Sequence, residues 1–257
     1  MKIRTGLGLY PRGVRIANGF FDLFRLPFLA GPDVTRYKAA QRLLSVPRAR
    51  IATLANLIKP QKAIGESKIR LGKEGDGGYV SIDTGTRVKY ALSFGIENDD
   101  SWDIDCANRG IQVYQYDYSI DKAPHQHALT EFHRKKIGPK KTETEESISS
   151  VLEMHSLTTD SSVILKIDIE GSEWEVFDAA PVEALKKFDQ IICEFHYFGA
   201  LIEDEWYERA HRVLKNSIWF LVLCTFTQTI LDNGSTPQTS HFHMYSKLHM
   251  RIVVSIS

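Results

Sequence analysis

Between Lys89 and Lys215 the chain alternates short apolar runs with amphipathic segments. The apolar runs Tyr90–Phe94, Gln112–Tyr116, Val163–Ile169 and Gln190–Phe195 read as strands, with a weaker one at Phe132–Ile137. Apolar residues recur at helical spacing near 99–109, 145–155, 172–187 and 203–215. The runs VILKIDI and QIICEF are almost continuously apolar, as strands are when helices cover both faces of a sheet. This rhythm predicts a doubly wound, mostly parallel α/β sheet. Trp219–Thr227 and His241–Ser246 are later β-prone runs, with a turn signal between them at Asp232-Asn233-Gly234. Upstream, KIRLGKEGDGGYVSI (68–82) reads as two short strands about a glycine-rich turn. A helix is expected from Val34 to Leu57, ended by Lys59-Pro60.

Charge changes the picture at the N-terminus. Residues 1–60 hold 11 Lys or Arg against Asp22 and Asp33, so the formally neutral chain joins a basic arm to an acidic body. The expected division is a basic helical extension (1–60) and one α/β domain (61–257). An anionic surface, the acidic body or a second subunit would each suit the arm. Ile16–Pro32 has enough aromatic and aliphatic residues to lie in a membrane interface, whereas packing on the main domain is the plainer expectation. Asp22, Arg25 and Pro27 argue against a membrane span and an ordinary signal-peptide core. Cys106, Cys193 and Cys224 are far apart, without CxxC spacing, which fits a reducing, cytoplasmic setting better than a disulfide framework.

Open α/β sheets bind ligands beyond the carboxyl ends of their strands. The residues leaving the runs are Gly95 through Asp100, then Asp117, then Asp168 and Glu170, then Glu194 with His196. Asp117, at the end of the second strand of a βαβ unit, is placed to accept hydrogen bonds from a ribose diol. The loop after the first strand has one glycine and lacks GxGxxG spacing, and Asn98, Asp99 and Asp100 put acid where a diphosphate would sit. That combination favours a cationic cofactor without phosphates, S-adenosylmethionine (SAM), over NAD. Methyl transfer from such a cofactor to a hydroxyl would need a base or a metal ion to activate the acceptor. His196 is the first choice of base, with Glu194 orienting it or binding the acceptor. Alternatively Asp168, Glu194 and His196 hold Mg²⁺ or another divalent ion. His125/His127 and His241/His243 have HxH spacing without an evident third ligand, and nothing suggests nucleic-acid recognition.

The segments RLGKEGDGGYV (70–80), ALSFGIENDDSWDIDCANRG (91–110), VYQYD (113–117), FHRKKIG (132–138), LKIDIEGSEWEVF (165–177) and ICEFHYF (192–198) resemble, in this order, the FkbM-like SAM-dependent methyltransferases. The resemblance implies a class I methyltransferase, a Rossmann-like seven-stranded sheet with one antiparallel strand near its end. It also implies O-methylation of a sugar, glycolipid or similar small hydroxylated substrate. By that resemblance Ser93, Phe94 and Gly95 approach the methionine part of SAM, Asp117 the ribose, and Asp168 the sulfonium and acceptor. No third-strand residue for adenine stands out, and the region after Gly199 departs from the pattern. A non-catalytic relative that binds a partner, at a membrane through the basic arm, is the second reading; a nucleotide-sugar or NAD enzyme is the third.

Overall fold

The computed structural model describes residues 45–58, 67–74, 77–159, 162–217, 221–225 and 250–255. The arm up to residue 44, including Ile16–Pro32, lies outside the described residues, as do the His241–Ser246 run, the 232–234 turn and the His241/His243 pair.

Five parallel strands form the centre of the domain: β3 (Tyr90–Phe94), β4 (Gln112–Tyr116), β5 (Thr130–His133), β8 (Val163–Ile167) and β9 (Phe188–Phe195). Their order is β9-β8-β3-β4-β5, so the chain reverses direction of travel at β3, the switch point of a doubly wound sheet. Beyond β9, β11 (Met250–Ser255) pairs antiparallel to it, and β10 (Leu221–Thr225) pairs antiparallel to β11. Two further two-stranded pairs lie outside this sheet. β1 (Lys68–Leu71) and β2 (Tyr79–Ile82) form the expected antiparallel hairpin, and β6 (Lys136–Ile137) pairs with β7 (Glu145–Glu146).

The two faces of the sheet are covered differently. Leu92, Phe94, Leu165, Ile167 and Phe195 pack with α1 (Arg48–Leu57), α3 (Ile148–Met154), α4 (Glu173–Ala179) and α6 (Asp204–Ser217). Ala91, Val113, Ile164 and Ile192 pack under α2 (Ser101–Asn108) and the hairpin. The alternation of side chains along each strand makes this division. The hairpin is fixed to the sheet by Gln190, whose amide bridges the N–H and C=O of Ile82 at 3.0 and 3.3 Å.

Several expected boundaries move for local reasons. Pro47 precedes α1, so residues 45–47 are turn and not helix. The weak strand at 132–137 is two strands on different sheets. The expected 172–187 helix is broken by Pro181, which starts the short α5 (Val182–Leu185). Its missing N–H removes a helical hydrogen bond, while its fixed φ suits a helix start. The first turn of the expected 145–155 helix is strand β7, because Ser147 caps the helix in a reciprocal box with Ser150.

Candidate active site

The parallel strands β3, β4, β8 and β9 deliver Gly95, Asp117, Asp168 and His196 to one edge of the sheet, with Glu194 just inside it. Backbone hydrogen bonds hold these loops together: Gly95 N–H donates to Tyr116 O, and Asp168 N–H to Phe94 O, both at 2.9 Å. Three non-glycine residues here adopt left-handed backbone: Glu97 (φ 42°), Glu170 (φ 58°) and Tyr197 (φ 61°). Such conformations cost about 1–3 kcal/mol each and gather at functional sites. Gly95, at φ 77°, cannot be anything larger, since a Cβ there would stand 1.8 Å from the carbonyl oxygen of Asp168. A Cβ on Gly171 would meet the Tyr197 ring at 2.0 Å.

Asp117 clasps the loop after β3. Its Oδ2 accepts the N–H groups of Ile96 and Glu97 at 2.9 Å each, and its Oδ1 accepts the N–H and hydroxyl of Ser119 at 2.7 and 2.6 Å. Burial pushes its pKa up, but these donors outweigh burial and hold the carboxyl below its usual range. The expected ribose acid is therefore at the expected strand end, already accepting four hydrogen bonds from its own loop. The loop acids are also engaged. Asp99 pairs with Lys73 at 2.8 Å, and the Asp100 carboxylate receives His125 Nδ1 at 2.6 Å and the His125 N–H at 3.0 Å. Bare negative charge is therefore weaker here than the sequence suggests. His127 Nδ1 accepts the Leu129 N–H at 3.0 Å, so His125 and His127 serve local turns.

Asp168 is the hub of the other half. The Tyr79 hydroxyl of the hairpin donates to its Oδ2 at 2.9 Å, which turns Oδ1 toward His196 Nε2, 3.6 Å away. Burial and the nearby Glu194 carboxylate, itself buried on β9, raise the Asp168 pKa to about 6. Lys166, buried on β8, donates to the Gly95 carbonyl and stands over the Tyr79 ring, 5.5 Å from its centroid.

His196 is held from both sides. Its Nδ1 donates to Glu173 Oε1 at 3.0 Å, and Nε2 lies 3.6 Å from Asp168 Oδ1 and 3.6 Å from Glu170 Oε2. Burial opposes a charged imidazole, but Glu173, Asp168 and Glu170 outweigh it and raise the pKa to about 9. Glu173 in turn accepts the N–H groups of Ile169 (2.8 Å) and Gly171 (2.9 Å), so one buried carboxylate fixes both the turn after β8 and the ring. Asp168, Glu173 and His196 bring potential metal-ligand atoms within 4.8 Å of one another.

Ser93 and Phe94 stand at the end of β3, but both side chains are fully buried. Phe94 packs edge-on against Tyr116, and Ser93 faces a row of buried polar groups on the α2 side. This row, Ser93, Gln115 and Lys166 in register on three strands, looks onto Asp103 of α2. Burial pushes the Asp103 carboxyl up to about 6 against the opposing pull of Lys166.

Three participants escape motif reading: Tyr79, Lys166 and Glu173. Their signals were a tyrosine after a double glycine, a lysine inside an otherwise apolar strand, and an acid five residues beyond Asp168.

A five-stranded parallel centre with its acidic loops gathered at the switch point defines a Rossmann-like domain. The chain matches the Methyltransferase FkbM domain family over residues 72–232, more than half its length, and it belongs to that family. No curated protein matches the chain. Among the described residues, no helix is long and apolar enough to cross a membrane.

Proposed function

We propose that this protein transfers the methyl group of SAM to a hydroxyl of a sugar, glycolipid or similar small hydroxylated substrate. The single observation carrying this reading is the gathering of Asp117, Gly95, Asp168 and His196 on one sheet edge of an FkbM-family domain. In this reading β10 and β11 complete a seven-stranded class I sheet. The ribose diol exchanges places with part of the Ser119 and loop amide donors on Asp117. The backbone at Ser93–Gly95 meets the methionine moiety, because the side chains of Ser93 and Phe94 point into the core.

Asp168 would hold the sulfonium, whose positive charge would favour the neutral form of His196, and Nε2 would then accept the proton of the hydroxyl. The oxygen–methyl bond forms as the methyl–sulfur bond breaks, leaving S-adenosylhomocysteine. Alignment of oxygen, carbon and sulfur supplies about 7–11 kcal/mol, and the base about 10²–10⁴-fold. Glu194, buried beside Asp168, binds the acceptor.

The test is transfer of isotopically labelled methyl from SAM to a panel of mono- and oligosaccharides, nucleotide sugars and glycolipids. Transfer that disappears in Asp168→Asn while SAM binding survives supports the reading. SAM binding without transfer to any hydroxylated acceptor supports instead the binding-protein alternative.

A further inference from the structure

We infer that Asp168, Glu170 and His196 form a divalent-cation site at the mouth of the candidate active site, with Glu173 as its supporting carboxylate. The geometry is that of a histidine prepared for a metal. Nδ1 is committed to Glu173 at 3.0 Å, so the ring is locked with Nε2 turned to the two remaining carboxylates. Metal-bound histidines commonly donate their other N–H to a carboxylate in this way.

The spacings agree. His196 Nε2 is 3.6 Å from one oxygen of each partner, outside ordinary hydrogen-bond reach. Adjacent ligands of a cation bound at about 2.3–2.6 Å stand roughly 3.3–3.7 Å apart in octahedral geometry. At about 2.1 Å in tetrahedral geometry they stand about 3.4 Å apart. Tyr79 occupies Oδ2 of Asp168 and leaves Oδ1 on the His196 side.

Glu173 also comes near enough to be considered a ligand. Its two oxygens already accept two backbone N–H groups and the imidazole, so it acts by holding the ring. Glu170 is the better ligand: its side chain is 38% exposed and its left-handed backbone carries the carboxylate to the His196 side. The donor set of one imidazole and two carboxylates suits Mn²⁺ or Zn²⁺, whose remaining positions water or a substrate oxygen would fill.

The cation's role rests on the methyl-transfer reading; its binding does not. Held there by Asp168, Glu170 and His196 in place of the Nε2 proton, it would supply Lewis-acid stabilisation to the acceptor oxygen, and the hydroxyl proton would pass to solvent water instead of to the imidazole.

The probe is Mn²⁺ alone, titrated into the full chain freed of metal by chelation, without SAM and followed by electron paramagnetic resonance. Saturable binding at one site, with spin-echo modulation from a coordinated nitrogen, is expected. Glu170→Gln should weaken binding at least tenfold and Glu173→Gln by about 10–100-fold, whereas Glu153→Gln on α3 should leave it unchanged. A folded wild type that binds no Mn²⁺ up to millimolar concentration, or binds it without nitrogen modulation, overturns the inference. So does binding unchanged in Glu170→Gln. Metal-independent methyl transfer by a chelated protein would remove the cation's role while leaving the transferase reading intact.

Discussion

His196 Nδ1 and Glu173 Oε1 meet at 3.0 Å, with the imidazole 1% and the carboxylate 0% exposed. Two residues 23 apart in sequence are thereby joined behind the strand ends of β8 and β9. In metal-free protein the pair holds a proton on the ring up to about pH 9. The folded-state pKa stands above the ordinary value of 6.5, so the associated stability is fully present below pH 6.5 and lost as pH rises through 9. The shift corresponds to about 3 kcal/mol. Glu173→Gln should bring the His196 titration down by more than one unit in NMR and flatten this stability loss. An unchanged titration would mean that the pair does not control the ring.

Asp103 loses stability in the same direction, but at lower pH and because of burial rather than pairing. Its carboxyl is buried under α2 and titrates near 6, above the usual value of 3.8. A raised carboxyl pKa favours the folded state at low pH, and that contribution fades as pH climbs from about 4 to 6. Asp103→Asn should therefore remove a loss of about 3 kcal/mol over that range. Denaturant melts of wild type and variant at pH 4.5 and 7.5 measure it, with a smaller pH difference expected in the variant.

Gly95 and Gly110 separate two costs of replacing glycine. Both have positive φ, 77° and 83°, but a Cβ at Gly110 meets nothing within 4 Å, whereas one at Gly95 strikes the Asp168 carbonyl. Gly110→Ala should cost about 1 kcal/mol. Gly95→Ala should cost about 2–5 kcal/mol, adding the clash to the strain, and should also abolish SAM binding. Equal effects in thermal melts would contradict the tight approach of the two loops.

Tyr79→Phe removes one hydrogen bond, from hairpin to Asp168, at 2.9 Å. A stability loss of about 0.5–1.5 kcal/mol is expected. Asp168 should titrate still higher, because the hydroxyl favours its charged form. Turnover should fall with S-adenosylhomocysteine affinity little changed; a large loss of affinity would place Tyr79 against the cofactor.

The sheet was legible because the runs VILKIDI and QIICEF are almost continuously apolar, and Tyr90–Phe94 and Gln112–Tyr116 end where the pattern says. Asp117, Asp168 and His196 were legible as residues leaving such strands. Their partners were not. The Tyr79–Asp168 bond spans 89 residues and depends on how the hairpin docks through Gln190. Glu173 reads from sequence as an acid favouring a helix start, and only the fold turns its carboxylate back under the Ile169–Gly171 turn to meet His196. Ser93 and Phe94 were legible as the end of the first strand; that their side chains enter a buried polar row and the core, leaving only backbone at the sheet edge, was not. The break at Pro181 was not legible, because helical periodicity continues on both sides of it.

Calorimetric titration with SAM and S-adenosylhomocysteine, on wild type and on Asp117→Ala, tests the central claim most directly. Wild type should bind both saturably, and the variant, shown folded by circular dichroism, should bind neither measurably. A folded wild type that binds neither ligand would contradict the assignment of this sheet edge to SAM.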